Sequence, residues 1–125
     1  MTDTDDFLPL QEPTFYILLS LRGGEKHGYA ILKDVAEMSS EQVKLSTGTL
    51  YGALFRLLDQ GLIEQIEPED KARGKKVYRL MHSGLEVFEA EVSRMKNLLL
   101  AVNRRLRQLE GSRYDVDNEV VFIGT

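Results

Sequence analysis

The sequence predicts a mainly helical fold with one small β-hairpin and a long helix near its C-terminal end. Three observations predict it. Apolar residues recur at helical spacing in three short stretches between Pro13 and Gly61. Two strand-like pieces then flank a charged loop. Finally, apolar residues from Leu85 to Leu109 alternate at intervals of three and four.

The elements follow in order. Residues 1–11 read as a flexible, polar leader. Pro13 suits the first turn of a helix, where a missing N–H costs nothing. The run Thr14 to Leu21 then makes a short, mostly buried helix that Gly23 and Gly24 end. A second helix is expected from about His27 to Met38, with Tyr29, Ile31, Leu32, Val35 and Ala36 as its apolar face and Lys33, Asp34 and Glu37 toward water. Ser39 and Ser40 break that pattern. A third helix starts near Ser46 or Thr47, both good N-caps. Its stripe is Leu50, Leu54, Leu57 and Leu58, and Gly61 is placed to end it in the left-handed conformation. The opposite face, with Thr47, Thr49, Tyr51, Gly52, Phe55, Arg56 and Asp59, is mixed and unusually aromatic for a solvent face.

Leu62 to Glu67 and Lys75 to Met81 form the two strands of the hairpin, joined by a charged tip. The last helix carries an unbroken heptad pattern: Leu85, Phe88, Val92, Met95, Leu99, Val102, Leu106 and Leu109. A 3.5-residue period sustained over more than three heptads is the mark of a coiled coil. A helix of about 25 residues spans about 37 Å, longer than the small domain it would leave, so its distal half has nothing of its own chain to pack on. Dimerisation through those eight residues is the expectation, with packing of the seam on the first helix of the same chain as the alternative. The tail 111–125 holds a strand-prone run, Val120 to Ile123, whose role stays open. The expected domains are thus the leader 1–11, a compact domain 12–82, a coiled-coil helix 83–110 and the tail 111–125.

Composition narrows the function classes. With 125 residues the chain suits one domain and one appended element. At 42% apolar residues and this size, part of its stability is expected from a partner subunit. It has no cysteine, which excludes disulfides and thiolate metal sites and fits a reducing cytoplasm, the expected location. The acidic start, Asp3, Asp5 and Asp6, is unlike a secretory n-region. The longest apolar stretch, Phe15 to Leu21, falls far short of the ~20 residues a membrane span needs, so no membrane partner is expected. His27 and His82 are the only histidines and show no ligand-like spacing. Neither a metal nor a cofactor is expected, and no serine–histidine–acid cluster or glycine-rich phosphate loop points to an enzyme. His27, beside Gly28 at a helix start, reads as a structural or capping group.

The net charge is −4, but it is unevenly spread. Asp3, Asp5, Asp6 and Glu12 account for −4, and Arg113 against Asp115, Asp117 and Glu119 for −2. Residues 13–110 are therefore +2, and five of their 15 basic residues fall between Lys71 and Arg79. Three short helices followed by a basic hairpin are the parts of a winged helix-turn-helix domain. In such a domain a leucine stripe holds the third helix so that its other face can enter the major groove of duplex DNA. Lysine and arginine on the hairpin can then displace counterions from the backbone.

At this point the chain resembles the PadR-like transcriptional regulators. The resemblance rests on His27-Gly28-Tyr29, on Gly48-Thr49-Leu50-Tyr51 with Leu54, Arg56-Leu57 and Gly61-Leu62-Ile63, and on Lys76-Val77-Tyr78-Arg79-Leu80 with Gly84. It spans roughly residues 8–85, and the heptad helix stands where the family has its dimerisation helix. It implies a homodimeric repressor that binds an inverted repeat in double-stranded DNA, and in many members a small molecule releases the DNA. There are departures. Gly52 stands where the family often has proline; a glycine there costs about 1 kcal/mol relative to alanine and leaves room for close backbone approach to DNA. Met81 stands where a capping threonine is usual, which passes the cap to Ser83 or leaves that helix end to fray. The chain has no tryptophan, which some drug-binding members place at the dimer centre.

The candidate DNA contacts are Lys44, Ser46, Thr47, Thr49, Tyr51 and Arg56 at the third helix, and Arg73, Lys75 and Lys76 on the hairpin. Threonines clustered at a helix N-terminus favour phosphate contact, because free N–H groups and the helix dipole meet there. Arg56 could bind a phosphate or pair with Asp59 at i+3. Arg79 reads as a structural ion pair and Tyr78 as core. An effector pocket is expected between the first and last helices, near Phe15, Met95 and Leu99. A second function class is open to the same fold: a protein-interaction adaptor that does not bind DNA.

Overall fold

The computed structural model describes residues 3–67 and 76–110. Four helices and a small sheet appear in the order α1 (Glu12–Arg22), β1 (Lys26–His27), α2 (Gly28–Met38), α3 (Thr47–Asp59), β2 (Ile63–Ile66), β3 (Val77–Leu80) and α4 (His82–Glu110). The strands form one antiparallel sheet in the order β1-β3-β2. The mainly helical fold with a hairpin and a long last helix is therefore present. The sheet has one strand more than the sequence suggested, because Lys26 and His27 pair with Tyr78 and Val77.

The chain divides into two compact units, Met1–Glu91 and Val92–Thr125, so the opening turns of α4 belong to the first unit. The core of that unit is apolar and continuous through its elements. Ile17, Leu18 and Leu21 of α1 are buried with Ile31 and Val35 of α2 and Leu50, Ala53, Leu54 and Leu57 of α3. Leu62, Ile63, Tyr78, Val87 and Phe88 complete it. On α3 the buried residues fall at i, i+3, i+4 and i+7, and on α2 Gly28, Ile31 and Val35 fall at i, i+3 and i+7. The expected face of α2 needs one correction: Tyr29 is 64% exposed, and Gly28, Ile31 and Val35 are the buried residues. The Tyr29 ring points outward beside Lys33, whose Nζ lies 5.9 Å from its centroid.

The leader, expected to be flexible, is ordered over its described residues. Thr4–Phe7 form one 3-10 turn with Asp3 as N-cap, and Asp3 and Asp6 satisfy each other's backbone N–H groups in a capping box. Beyond Pro9, the Leu10 N–H donates to Oε2 of Glu91, a fully buried carboxylate, at 2.9 Å. Two local interactions and one long-range bond supply what the polar composition of the leader concealed.

Two turns place α3. Between α2 and α3, the Ser39 hydroxyl accepts from Val43 N at 2.9 Å and donates to the Ala36 carbonyl at 3.2 Å. Ser40 and Glu41 then take left-handed backbone, at φ 52° and 67°, which non-glycine residues seldom adopt. After α3, Gly61 at φ 74° reverses the chain into β2, as its position predicted. Gly84 is required by close approach, since a Cβ there would collide with the Leu62 carbonyl. Ser83 does not cap α4; its hydroxyl donates to the Gly61 carbonyl at 2.6 Å and ties the first turn of α4 to the end of α3.

The helix α4 runs 29 residues without a break, about 43 Å at 1.5 Å per residue. Its heptad residues divide between the units. In the first unit, Phe88 is 8% exposed and stacks on Phe15 at 5.5 Å between ring centroids. Assigned to the dimer seam from spacing, Phe88 is instead part of the core of its own subunit, and Leu85 is half-buried beside it in sequence. In the second unit, Met95, Leu98, Val102 and Leu109 are 38%, 55%, 47% and 40% exposed, while Val92, Leu99 and Leu106 are half-buried. The open apolar line therefore includes Leu98, which the heptad left out. Among the described residues no helix is long and apolar enough to cross a membrane.

Candidate nucleic-acid interface

The N-terminus of α3 is built by its own sequence. Ser46 has extended backbone, and its Oγ accepts from Thr49 N at 3.0 Å while its hydroxyl donates to Thr49 Oγ1 at 2.9 Å. Ser46 is therefore the N-cap, one of the two caps the sequence offered, and its hydroxyl is engaged within the helix. Thr47, Thr49 and Tyr51 are exposed along the first turns. Lys44 lies in the loop just before, 3.8 Å from Glu41, with both side chains about two-thirds exposed. An exposed pair of this kind contributes at most about 1 kcal/mol, so Lys44 can exchange its partner for a phosphate at little cost.

Tyr51 also links α3 to α2 and the sheet. Its hydroxyl rests on Gly28, where an added Cβ would stand 2.5 Å from it. His27, just before Gly28, caps α2 by accepting from Ala30 N through Nδ1 at 3.4 Å, and it pairs with Val77 in the sheet. That register brings the start of β3, and so exposed Lys76, beside the start of α2. Behind them Tyr78 is 4% exposed. Burial and then the neighbouring Tyr51 push its phenol above the ordinary tyrosine range. Lys44, Ser46, Thr47 and Thr49 thus stand at the entry to α3, while Tyr51 rests on Gly28 and Lys76 leads into the central strand β3 that pairs with His27. Arg73 and Lys75 lie outside the described residues.

Arg56 stands half a turn away from Thr47 on α3 but within about 20° of Thr49, seven residues earlier. It lines a cavity of about 500 Å³ with Asp6, Phe7, Leu10, Gln11, Thr14 and Gln60, on the side of α3 turned to the N-terminal segment. Among the described residues it forms no ion pair with Asp59, the alternative its spacing allowed. Other cations are committed within the fold. Lys26 donates to the Ser20 carbonyl at 2.6 Å and lies 3.8 Å from Asp34. Arg79 pairs with Glu64 directly across β2 and β3, which raises its pKa further.

Sequence reasoning left two exposed aromatics out of the site: Phe55 on α3, at 71%, and Tyr29 at the start of α2. The signal for Phe55 was its place opposite the leucine stripe. For Tyr29 there was none, since a periodicity count treats every apolar residue as a core residue. Phe15 stacks on Phe88 and meets Tyr16 edge-on at 6.1 Å. A second cavity, of about 340 Å³, is lined by Leu21, Arg22, Arg79, Met81 and His82 among others. Among the described residues no group of three histidines or acids could hold a metal ion.

Comparison with known proteins follows the same outline. Residues 17–90 match the model of the transcriptional regulator PadR-like family. Over 82 residues the chain is 34% identical to an uncharacterized 37.1 kDa protein in transposon TN4556 of Streptomyces fradiae. That match covers 66% of this chain and 22% of that protein, so the chain spans about a fifth of the length of the curated relative it matches. Among solved structures it is similar to a transcriptional regulator from Clostridium thermocellum, with 26% identity and a TM-score of 0.63 over 74% of this chain and 90% of that one. It also shares its fold with a PadR family transcription regulator from hypervirulent Clostridium difficile R20291, with 23% identity and a TM-score of 0.65 over 77% of this chain and 99% of the other.

Proposed function

Because the chain belongs to the PadR-like family of transcriptional regulators, we infer that it acts as a homodimeric, sequence-specific DNA-binding repressor. The observation that carries the reading is the face of α3. The helix is fixed by four buried residues and a side-chain cap, and its free side presents Thr47, Thr49 and Tyr51 next to two exposed lysines, Lys44 and Lys76. Such a face suits a major groove about 12 Å wide, with base-edge contacts from α3 and phosphate contacts from the lysines. Arg73 and Lys75, outside the described residues, are the further phosphate contacts that the sequence suggests.

Dimerisation is supported by the exposed apolar residues of α4. Met95, Leu98, Val102 and Leu109 are spaced three, four and seven apart, one seam of a coiled coil. Two-fold symmetry would set two copies of α3 one helical turn of DNA apart, about 34 Å. Release by a small molecule belongs to the same reading and rests on the family resemblance. A thermal-shift screen that finds no stabilising compound would remove its support.

The test of DNA binding is its salt dependence. Duplex binding by the wild type should fall steeply with salt, and Lys75→Ala with Lys76→Ala should weaken binding to all sequences alike. The salt slope should drop by about 1 for each phosphate that the variant no longer neutralises. Unchanged affinity and slope in the double variant would remove the hairpin from the interface.

A further inference from the structure

Phe55 is 71% exposed, the most open of the large apolar side chains among the described residues. The buried residues of α3, Leu50, Ala53, Leu54 and Leu57, share one side. At 100° per residue, the line opposite them runs through Gly48, Gly52, Phe55 and Asp59. Phe55 is therefore the first bulky group on the outermost line of the helix. The line before it is low, since a Cβ added at Gly48 or Gly52 would meet nothing closer than 3.7 Å. Tyr51, one turn earlier and 50% exposed, flanks it. Among the described residues no ring contact uses the Phe55 side chain.

The partner that the reading of α3 implies accounts for a phenylalanine at this place. Base edges in the major groove present hydrogen-bond donors and acceptors, with one apolar exception, the C5-methyl group of thymine. A benzyl group cannot read a donor or an acceptor, but it gains by covering a methyl. We propose that Phe55 is a specificity-determining residue that reads a thymine methyl in each half of the bound site. The proposal rests on the DNA-binding reading of α3. Covering one methyl-sized group is worth about fourfold in affinity per half-site.

The experiment starts from sites selected out of random duplexes by the full-length chain. Each thymine of a selected site is then replaced by deoxyuridine, which keeps the pairing and the O4 acceptor and removes only the methyl. One position in each half should weaken wild-type binding about fourfold. Phe55→Ala should bind the thymine and uridine sites equally, and Phe55→Leu should keep part of the difference. Because the side chain is exposed and uncharged, Phe55→Ala should melt as the wild type does and keep its salt slope. A wild type that tolerates deoxyuridine everywhere overturns the proposal, as does a selected site without thymine or a Phe55→Ala variant that keeps the full thymine preference. Loss of dimer mass in Phe55→Ala would assign the ring to a subunit contact instead. If the chain enriches no sequence and binds no duplex at low salt, the DNA-binding reading itself falls, and this assignment with it.

Discussion

Single side chains decide how α3 is held and what it offers. Tyr78 is the one that reports on it. Its phenol titrates above the usual range because burial opposes the phenolate, with Tyr51 adding to the effect. In the unfolded chain the same group releases its proton near pH 10. Between those two values the unfolded state holds fewer protons than the folded one, so stability is whole below about pH 10 and declines as pH rises beyond it. Ultraviolet titration of tyrosinate should show a late-ionising step that Tyr78→Phe abolishes; a Tyr78→Phe variant that keeps that step would contradict it. Residue roles that follow from local chemistry were legible in the sequence. Ser46 and His27 cap helices because an acceptor just before a helix finds a free N–H. Arg79 finds Glu64 because the hairpin register puts them opposite each other. Roles that depend on direction were not legible. Tyr29 counts as apolar in any periodic window, yet it lies a position away from the buried stripe. Arg56 sits in a motif of α3 and lines the cavity beside the N-terminal segment.

At the scale of elements, the long helix shows why spacing and burial must be read together. Its heptad pattern is unbroken in sequence, but Phe88 places its ring on Phe15. A 3.5-residue repeat describes one face of a helix without saying which neighbour covers it at each level. Two substitutions separate the two uses. Phe88→Ala should cost about 3–5 kcal/mol of subunit stability through the cavity it leaves, read by denaturant unfolding. Leu98→Asp, at a position 55% exposed, should leave the chain folded and, for the dimer proposed above, lower the sedimenting mass to that of a single chain, since a charge would be buried in the proposed seam. A dimer that survives Leu98→Asp would move the seam elsewhere on α4. The third strand escaped sequence reading for a related reason: two residues are too few to show any period, and only pairing with β3 makes Lys26 and His27 a strand.

For the whole molecule, the order of elements was more informative than composition. A net charge of −4 argues against a polyanionic partner until the acidic ends are set apart from the body of the chain. The family match covers residues 17–90, so it starts within α1, takes in α2, α3 and the strands, and stops within α4. The leader lies before that match, and nothing in its polar residues announced a structural duty.

That duty has a practical side. The Leu10 amide is bound to Glu91, a carboxylate with no access to water. Trimming residues 1–11 takes a donor away from this buried side chain, at a cost on the order of 2 kcal/mol. The shortened chain should melt earlier than the intact one. If it melts at the same temperature, the first eleven residues are dispensable after all; if it does not, they act as a strap, and a fusion partner belongs at the other end.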